Sequence, residues 1–158
     1  MVKKILSKKD FKKINQMKRP LVFVPMAADL LHHGHIRILK KSSKFGSVVV
    51  GLMTNTGLKK YKGPPVINYK QREEIISELK SVDYVIPING LLYVEIAKAL
   101  KPEYFVHGKD WRKGPQKKVR IKLIETMRKW KGKVIELPYT KGISSSNLKR
   151  KLKFSKYL

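Results

Sequence analysis

Leu21-Val22-Phe23-Val24-Pro25-Met26-Ala27-Ala28-Asp29-Leu30-Leu31-His32-His33-Gly34-His35 begins as an apolar run and ends in two imidazoles three residues apart. The run predicts a strand over Leu21–Val24, residues 25–31 a tight loop, and Gly34 the start of a helix. Imidazoles three apart on a first helical turn point the same way, beside unpaired N–H groups and at the positive end of the dipole. Such an assembly suits a polyphosphate, and it suggests that the chain acts on a nucleotide.

Working outward, helix-like and strand-like segments alternate. Ser7-Lys8-Lys9-Asp10 reads as a capping box opening a short basic helix to about Met17, and Arg19-Pro20 breaks it. The helix from Gly34 stops near Lys44, at Phe45-Gly46. Ser47–Met53 is a continuous apolar strand, expected to be covered on both faces. Thr54–Ile67 is expected as a Lys- and Gly-rich loop, and Asn68 caps a helix with Ile75, Ile76 and Leu79 as its buried stripe. Further strands are expected at Val82–Ile88, Tyr104–His107 and Lys133–Leu137. Helices are expected at Leu91–Leu100, at Lys117–Lys131 (burying Ile121, Ile124, Met127 and the stem of Arg128) and from Ser145 or Ser146 onward, carrying Leu148 and Leu152.

Five strands alternating with helices predict an α/β fold, a five-stranded parallel sheet with helices on both faces. Ligands in such folds bind outside the carboxyl ends of the strands, where strand order switches. The loops after the first, second, fourth and fifth strands would then converge on one crevice. Residues 1–18 are expected as a basic helical appendage to a single domain over 19–158.

The 158 residues are enough for one buried core. Hydrophobic content of 42% argues against a disordered basic tail. No apolar stretch approaches a membrane span, and the start has no apolar core behind its lysines, so no signal peptide is read and a cytoplasmic location is expected. The absence of cysteine excludes disulfides, thiolate metal sites and cysteine nucleophiles. The net charge of +26 admits an anionic partner, but lysines outnumber arginines 30 to 7. Base readers and bidentate phosphate clamps favour arginine, so the excess reads as surface decoration and no nucleic-acid partner is expected.

The remaining candidates each carry an ordinary alternative. Zinc on His32 and His35 lacks further ligands, since His33 and His107 are the only other imidazoles. Asp29 can fix its turn by accepting backbone N–H bonds. Lys59, Lys60 and Lys62 flank the crevice, where one can close over a triphosphate or all can be solvated. Arg72 stands out because arginines are scarce. Asp110-Trp111 offers a carboxylate and a flat indole for a ribose, a base or Mg²⁺, or an ordinary turn with a packed indole. Gly142-Ile143-Ser144-Ser145-Ser146 precedes a helix start and suits phosphate or plain capping.

In order and spacing these pieces resemble the cytidylyltransferase-type nucleotidyltransferases over about Leu21–Leu152. The pieces are Ala28 to His35, the lysine loop, Tyr69-Lys70-Gln71-Arg72, His107-Gly108-Lys109-Asp110-Trp111, and Tyr139-Thr140-Lys141-Gly142-Ile143-Ser144-Ser145. Met26 to Leu30, Lys62 before Pro64, and Pro138 to Ser145 are similar to the cytidylyltransferases of phosphonate biosynthesis. Glycerol-3-phosphate cytidylyltransferase is the next resemblance, with other phosphate monoesters as acceptors. Pro25 and Ala27 depart from the pattern, standing where glycine and a hydroxyl residue are expected; Pro25 offers no N–H to a phosphate.

The resemblance implies the Rossmann-like nucleotidyltransferase fold and transfer of CMP from CTP, with Mg²⁺, to an alkylphosphonate such as 2-aminoethylphosphonate, by in-line attack with release of pyrophosphate. It assigns His32 and His35 to the triphosphate, Lys62 to the α-phosphate and transferred group, and Arg72 and Lys80 to phosphate or acceptor. Met26, Ala27, Ala28, Asp29, Gly34, Gly108, Asp110, Trp111, Tyr139, Thr140, Ile143, Ser144 and Ser145 would line the nucleotide, with Asp110 also reaching ribose or metal. A homodimer is implied as well. The rival class is a non-catalytic basic module binding nucleic acid without sequence preference.

Overall fold

The alternation of apolar runs and helical stripes closes into one parallel sheet. The computed structural model describes residues 7–153; the basic start over 1–6, read above for a signal peptide, lies outside them. The order is α1 (Lys8–Asn15), β1 (Leu21–Met26), α2 (His33–Ser42), β2 (Ser47–Met53), α3 (Asn55–Tyr61), α4 (Tyr69–Ser77), β3 (Tyr84–Ile88), α5 (Tyr93–Leu100), β4 (Tyr104–Gly108), a 3₁₀ turn (Lys109–Arg112), α6 (Lys117–Arg128), β5 (Lys133–Leu137) and α7 (Ser145–Lys153). The strands lie in the order β3-β2-β1-β4-β5, all parallel. The Rossmann-like α/β expectation is met. No helix among the described residues is long and apolar enough to cross a membrane.

Period-two alternation sends successive side chains to opposite faces, and each face is covered. Leu21 and Phe23 join Phe105, Ile96, Leu123 and Met127 on one side; Val22 and Val24 join Val48, Val50, Leu39 and Ile76 on the other. Strand order reverses at β1. There β1 stays in register with β2 from Leu21–Ser47 to Met26–Leu52, but with β4 only at Val22–Tyr104 and Phe23–Phe105. The sheet therefore parts between β1 and β4 toward its carboxyl end. Pro25 lies beyond the last β1–β4 pair, where a residue without an N–H costs the ladder least.

Four expectations change. Residues 55–61 form α3 rather than loop, because the Thr54 hydroxyl accepts the Gly57 N–H at 3.0 Å and Leu58 is buried. A Cβ at Gly57 would stand 2.7 Å from the Gly90 nitrogen, so only glycine lets α3 sit this close. In α4 Ile76 is buried but Ile75 is exposed. In α6 the buried face carries Leu123, Thr126 and Met127, leaving Ile121 and Arg128 exposed. The segment expected as an appendage is packed onto the sheet: Ile14 is wholly buried, and the Tyr84 hydroxyl donates to Asp10 at 3.0 Å.

Candidate active site

The start of α2 is built from its own histidines. The Gly34 N–H donates to His32 Nδ1 at 3.1 Å, and the His32 N–H donates to His35 Nδ1 at 3.2 Å. A ring nitrogen that accepts an N–H carries no proton, so each neutral imidazole holds its proton on Nε2. The rings lie 4.0 Å apart, presenting two Nε2–H donors side by side at a helix start. Gly34 is required here, since a Cβ would stand 2.8 Å from the His32 ring. Burial, reinforced by His32 and by the Lys62 ammonium, lowers His35 to about 4. Burial and then His33 lower His32 in the same direction. Both rings are therefore neutral donors at pH 7.

The loop between β1 and α2 is strained and firmly held. Ala28 and Leu30 take left-handed backbone angles, φ 51° and 54°, at a cost of roughly 1–3 kcal/mol each. Asp29, almost fully buried, accepts the N–H groups of Val66 and Ile67 at 3.0 Å and pairs with Lys149 Nζ at 2.6 Å. Burial alone would raise the Asp29 carboxyl, but Lys149 and the two N–H groups outweigh it and hold it below the usual range. Arg72 is 1% exposed. Its guanidinium donates to the carbonyls of Ala27 (2.6 Å), Met53 (2.8 Å) and Ile67 (2.9 Å) and to Asn55 Oδ1 (2.9 Å). The structure thus gives Asp29 and Arg72 the work of tying together the segments behind β1, β2 and α3. Arg72 presents no open face to a phosphate or acceptor.

The opposite wall follows β4 and β5. Asp110 Oδ1 accepts the Tyr139 hydroxyl at 2.9 Å and lies 3.7 Å from His107 Nδ1. Gly108 lets Tyr139 lie across the strand end, for a Cβ there would meet the phenol ring at 2.2 Å. Trp111 does not offer its indole to a base. It is 1% exposed, stacked on His107 at 4.0 Å and 4°, with its N–H given to Glu136 at 2.6 Å. Glu136 is pulled down to about 2, by Arg120 first, against burial, and then by Arg112 and Trp111. Behind this wall Gln116 Nε2 donates to the Tyr61 hydroxyl, and Gln116 is almost fully buried.

Other positions complete the crevice or leave it. Lys62 caps α3 with an exposed side chain, and its ammonium disfavours protonation of both His35 and His107. Thr140 borders the α2 start, its Cβ 3.6 Å from the place a Gly34 Cβ would occupy. Ser144 caps α7 by accepting the Asn147 N–H at 3.1 Å; Ile143 and Ser145 are half-buried beside it. Lys59 and Lys60 are exposed on α3. Lys80 is a correction: it follows α4 and precedes β3, so it sits at the amino ends of the strands, away from the crevice. No group of three or more His, Cys, Asp or Glu side chains gathers among the described residues. Asp110 alone does not make a metal site. Lys149, Tyr61 and Gln116 escaped the sequence reading. A single lysine among 30 carries no signal, and nothing local marks Gln116 as buried.

The profile of the cytidylyltransferase-like family matches residues 27–151. The chain is 31% identical over 137 residues to the bifunctional protein HldE of Trichlorobacter lovleyi, across 85% of this chain and 27% of that protein. Against the HldE of Syntrophotalea carbinolica it is 30% identical over 133 residues, across 82% and 26%. It thus spans roughly a quarter of the length of these relatives. Among solved structures, the lipopolysaccharide core biosynthesis protein from Thermoplasma volcanium superposes with a TM-score of 0.62 at 26% identity, covering 78% of this chain and 98% of that one. Pantoate-beta-alanine ligase from Francisella tularensis superposes at 0.66 and 20% identity, over 89% and 70%, a likeness of fold alone. With the family profile lying across the histidine turn, Lys62 and most of α7, this chain belongs to the cytidylyltransferase-like family.

Proposed function

We propose that the chain transfers CMP from CTP to an alkylphosphonate of the 2-aminoethylphosphonate type, releasing pyrophosphate. The observation that carries the reading is the pair of neutral Nε2–H imidazoles beside Lys62 at a helix start. In this reading His32 and His35 donate to the phosphate oxygens, and Lys62 neutralises charge between the α-phosphate and the incoming phosphonate. The first N–H groups of α7, with Thr140, Ser144 and Ser145, receive the β- and γ-phosphates. The Met26–Asp29 loop, Gly108, Asp110, Tyr139 and Ile143 frame the nucleoside. A phosphonate oxygen is already anionic near neutrality, so the step needs no general base. It needs alignment for in-line attack and donors fixed where negative charge crowds. Nucleotidyltransferases work on a triphosphate carrying a divalent cation; such an ion keeps waters and phosphate oxygens as its main ligands, which suits a site whose described residues gather no carboxylate cage.

The family profile supports nucleotidyl transfer in general; the choice of CTP and phosphonate rests on the resemblance of the run Pro138 to Ser145. A phosphate monoester acceptor, glycerol-3-phosphate or a sugar phosphate, is the second reading, favoured by the likeness to a protein of lipopolysaccharide core biosynthesis. The test is pyrophosphate release with each of CTP, ATP, GTP and UTP against a panel of phosphonates and phosphate esters. Release that requires both CTP and 2-aminoethylphosphonate is expected. Release with a sugar phosphate alone would select the second reading, and none with any pair would refute both.

A further inference from the structure

We infer that Glu136 is a positioning residue for the nucleoside: through Trp111 and Arg112 it sets the 3₁₀ turn that carries Asp110 to the crevice. The inference rests on the reading of Asp110 as a nucleoside contact, and adds a β5 residue that acts without touching substrate. Asp110 stands second in the four-residue turn Lys109–Arg112, and the residue before it, Gly108, has no side chain with which to cap it. A 3₁₀ run this short has poor hydrogen-bond geometry and does not hold itself in place. The two residues after Asp110 supply the hold, and both end on one carboxylate. Trp111 donates its indole N–H to Glu136 Oε1 at 2.6 Å, and Arg112 Nε donates to Oε2 at 2.8 Å. Arg120, from α6, donates to the same two oxygens at 2.6 and 3.2 Å.

Strand register explains how a β5 side chain reaches this turn. Glu136 pairs with His107 across the β4–β5 ladder. The chain leaves β4 one residue later and folds back, laying the indole parallel to the His107 ring at 4.0 Å and to the Phe105 ring at 6.2 Å. From there its N–H meets the carboxylate of the neighbouring strand. Glu136 itself is 9% exposed and has both oxygens taken by three donor side chains, so it presents no open face to a ligand. Asp110 keeps a half-exposed carboxylate at the crevice, where the Tyr139 hydroxyl donates to it at 2.9 Å. A glutamine at 136 would still accept from the indole. Its NH₂ group would face an arginine, however, and the shared fork on Arg112 and Arg120 would break.

The test measures dissociation constants by calorimetry for CTP and for inorganic tripolyphosphate, which has the phosphates without the nucleoside. Glu136→Gln should weaken CTP by roughly 10-fold, the scale of one lost hydrogen bond to a charged group, and leave tripolyphosphate within about twofold. Asp110→Ala should reproduce that split. In the Asp110→Ala background, Glu136→Gln should add less than about twofold, because both changes act on one contact. Arg112→Gln alters an exposed side chain and should move CTP the same way by a smaller factor. It carries the test should Glu136→Gln not fold. CTP binding unchanged in the folded variant would overturn the inference. Equal losses for CTP and tripolyphosphate, or losses that add to that of Asp110→Ala, would overturn it too. CTP binding without transfer to any acceptor would refute the transfer reaction and leave the inference standing. No binding of CTP by the wild-type protein would refute both.

Discussion

Replacing Arg72 by Leu separates a structural guanidinium from a substrate-binding one. Its side chain is 1% exposed and donates at 2.6–2.9 Å to three backbone carbonyls and one amide oxygen. Leucine leaves those acceptors without a donor, in a place where the chain excludes water. Each unmet buried group costs about 1–3 kcal/mol; with partial relaxation the loss should total about 3–5 kcal/mol. For a domain of this size that is a fall in Tm of roughly 6–20 °C, read by calorimetry or by circular dichroism. Arg72→Lys should recover only part of it, since one ammonium cannot span four acceptors in a planar fork. A Tm within about 2 °C of wild type, together with lost activity, would refute the structural assignment and return Arg72 to the substrate.

Other perturbations probe the crevice and its pH range. His35→Ala should lower kcat by roughly 10²–10³, as for the loss of one preorganised donor, measured by pyrophosphate release. Lys62→Met should lose a comparable factor with an unchanged Tm, whereas Lys59→Ala and Lys60→Ala should alter stability by no more than about 0.5 kcal/mol and activity by no more than about twofold. Acidification should destabilise the fold through His35. Its folded value near 4 lies below the unfolded 6.5, so between those pH values only the unfolded chain takes up the proton. Stability is then intact above about pH 6.5 and falls by about 3 kcal/mol toward pH 4; His35→Asn should flatten that slope in urea titrations. Gly108→Ala should displace Tyr139 from Asp110, because the added methyl would sit 2.2 Å from the phenol ring, and the change should appear in Tyr139 ring resonances.

The architecture was legible in the sequence because runs such as Val48–Met53 have no polar interruption, as a doubly covered strand requires. The chemistry-bearing loops were legible because a parallel sheet sends them all to one edge. What stayed hidden was hidden for physical reasons. The α3 segment contains glycine and paired lysines, and only the Thr54 cap and the packing against Gly90 make it helical. The stripe of α6 was read correctly at Met127 but misphased elsewhere, because Ile121 and Ile124 compete with Leu123 and tertiary packing decides between them. Asp29 was legible as an acceptor of backbone N–H bonds, the role it has here, although the resemblance put it at the nucleotide; Arg72 read as a ligand because a scarce arginine beside a crevice looks like one until its partners are seen. Lys80 was avoidable, since its place before a strand already puts it at the wrong edge.

The sharpest probe of the histidine turn is a long-range ¹H–¹⁵N spectrum of the imidazoles at pH 7, recorded with and without CTP. His32 and His35 are expected as neutral Nε2–H tautomers whose signals shift when CTP binds, with His33 unmoved. A protonated ring, an Nδ1–H tautomer at either position, or signals indifferent to CTP would contradict the account.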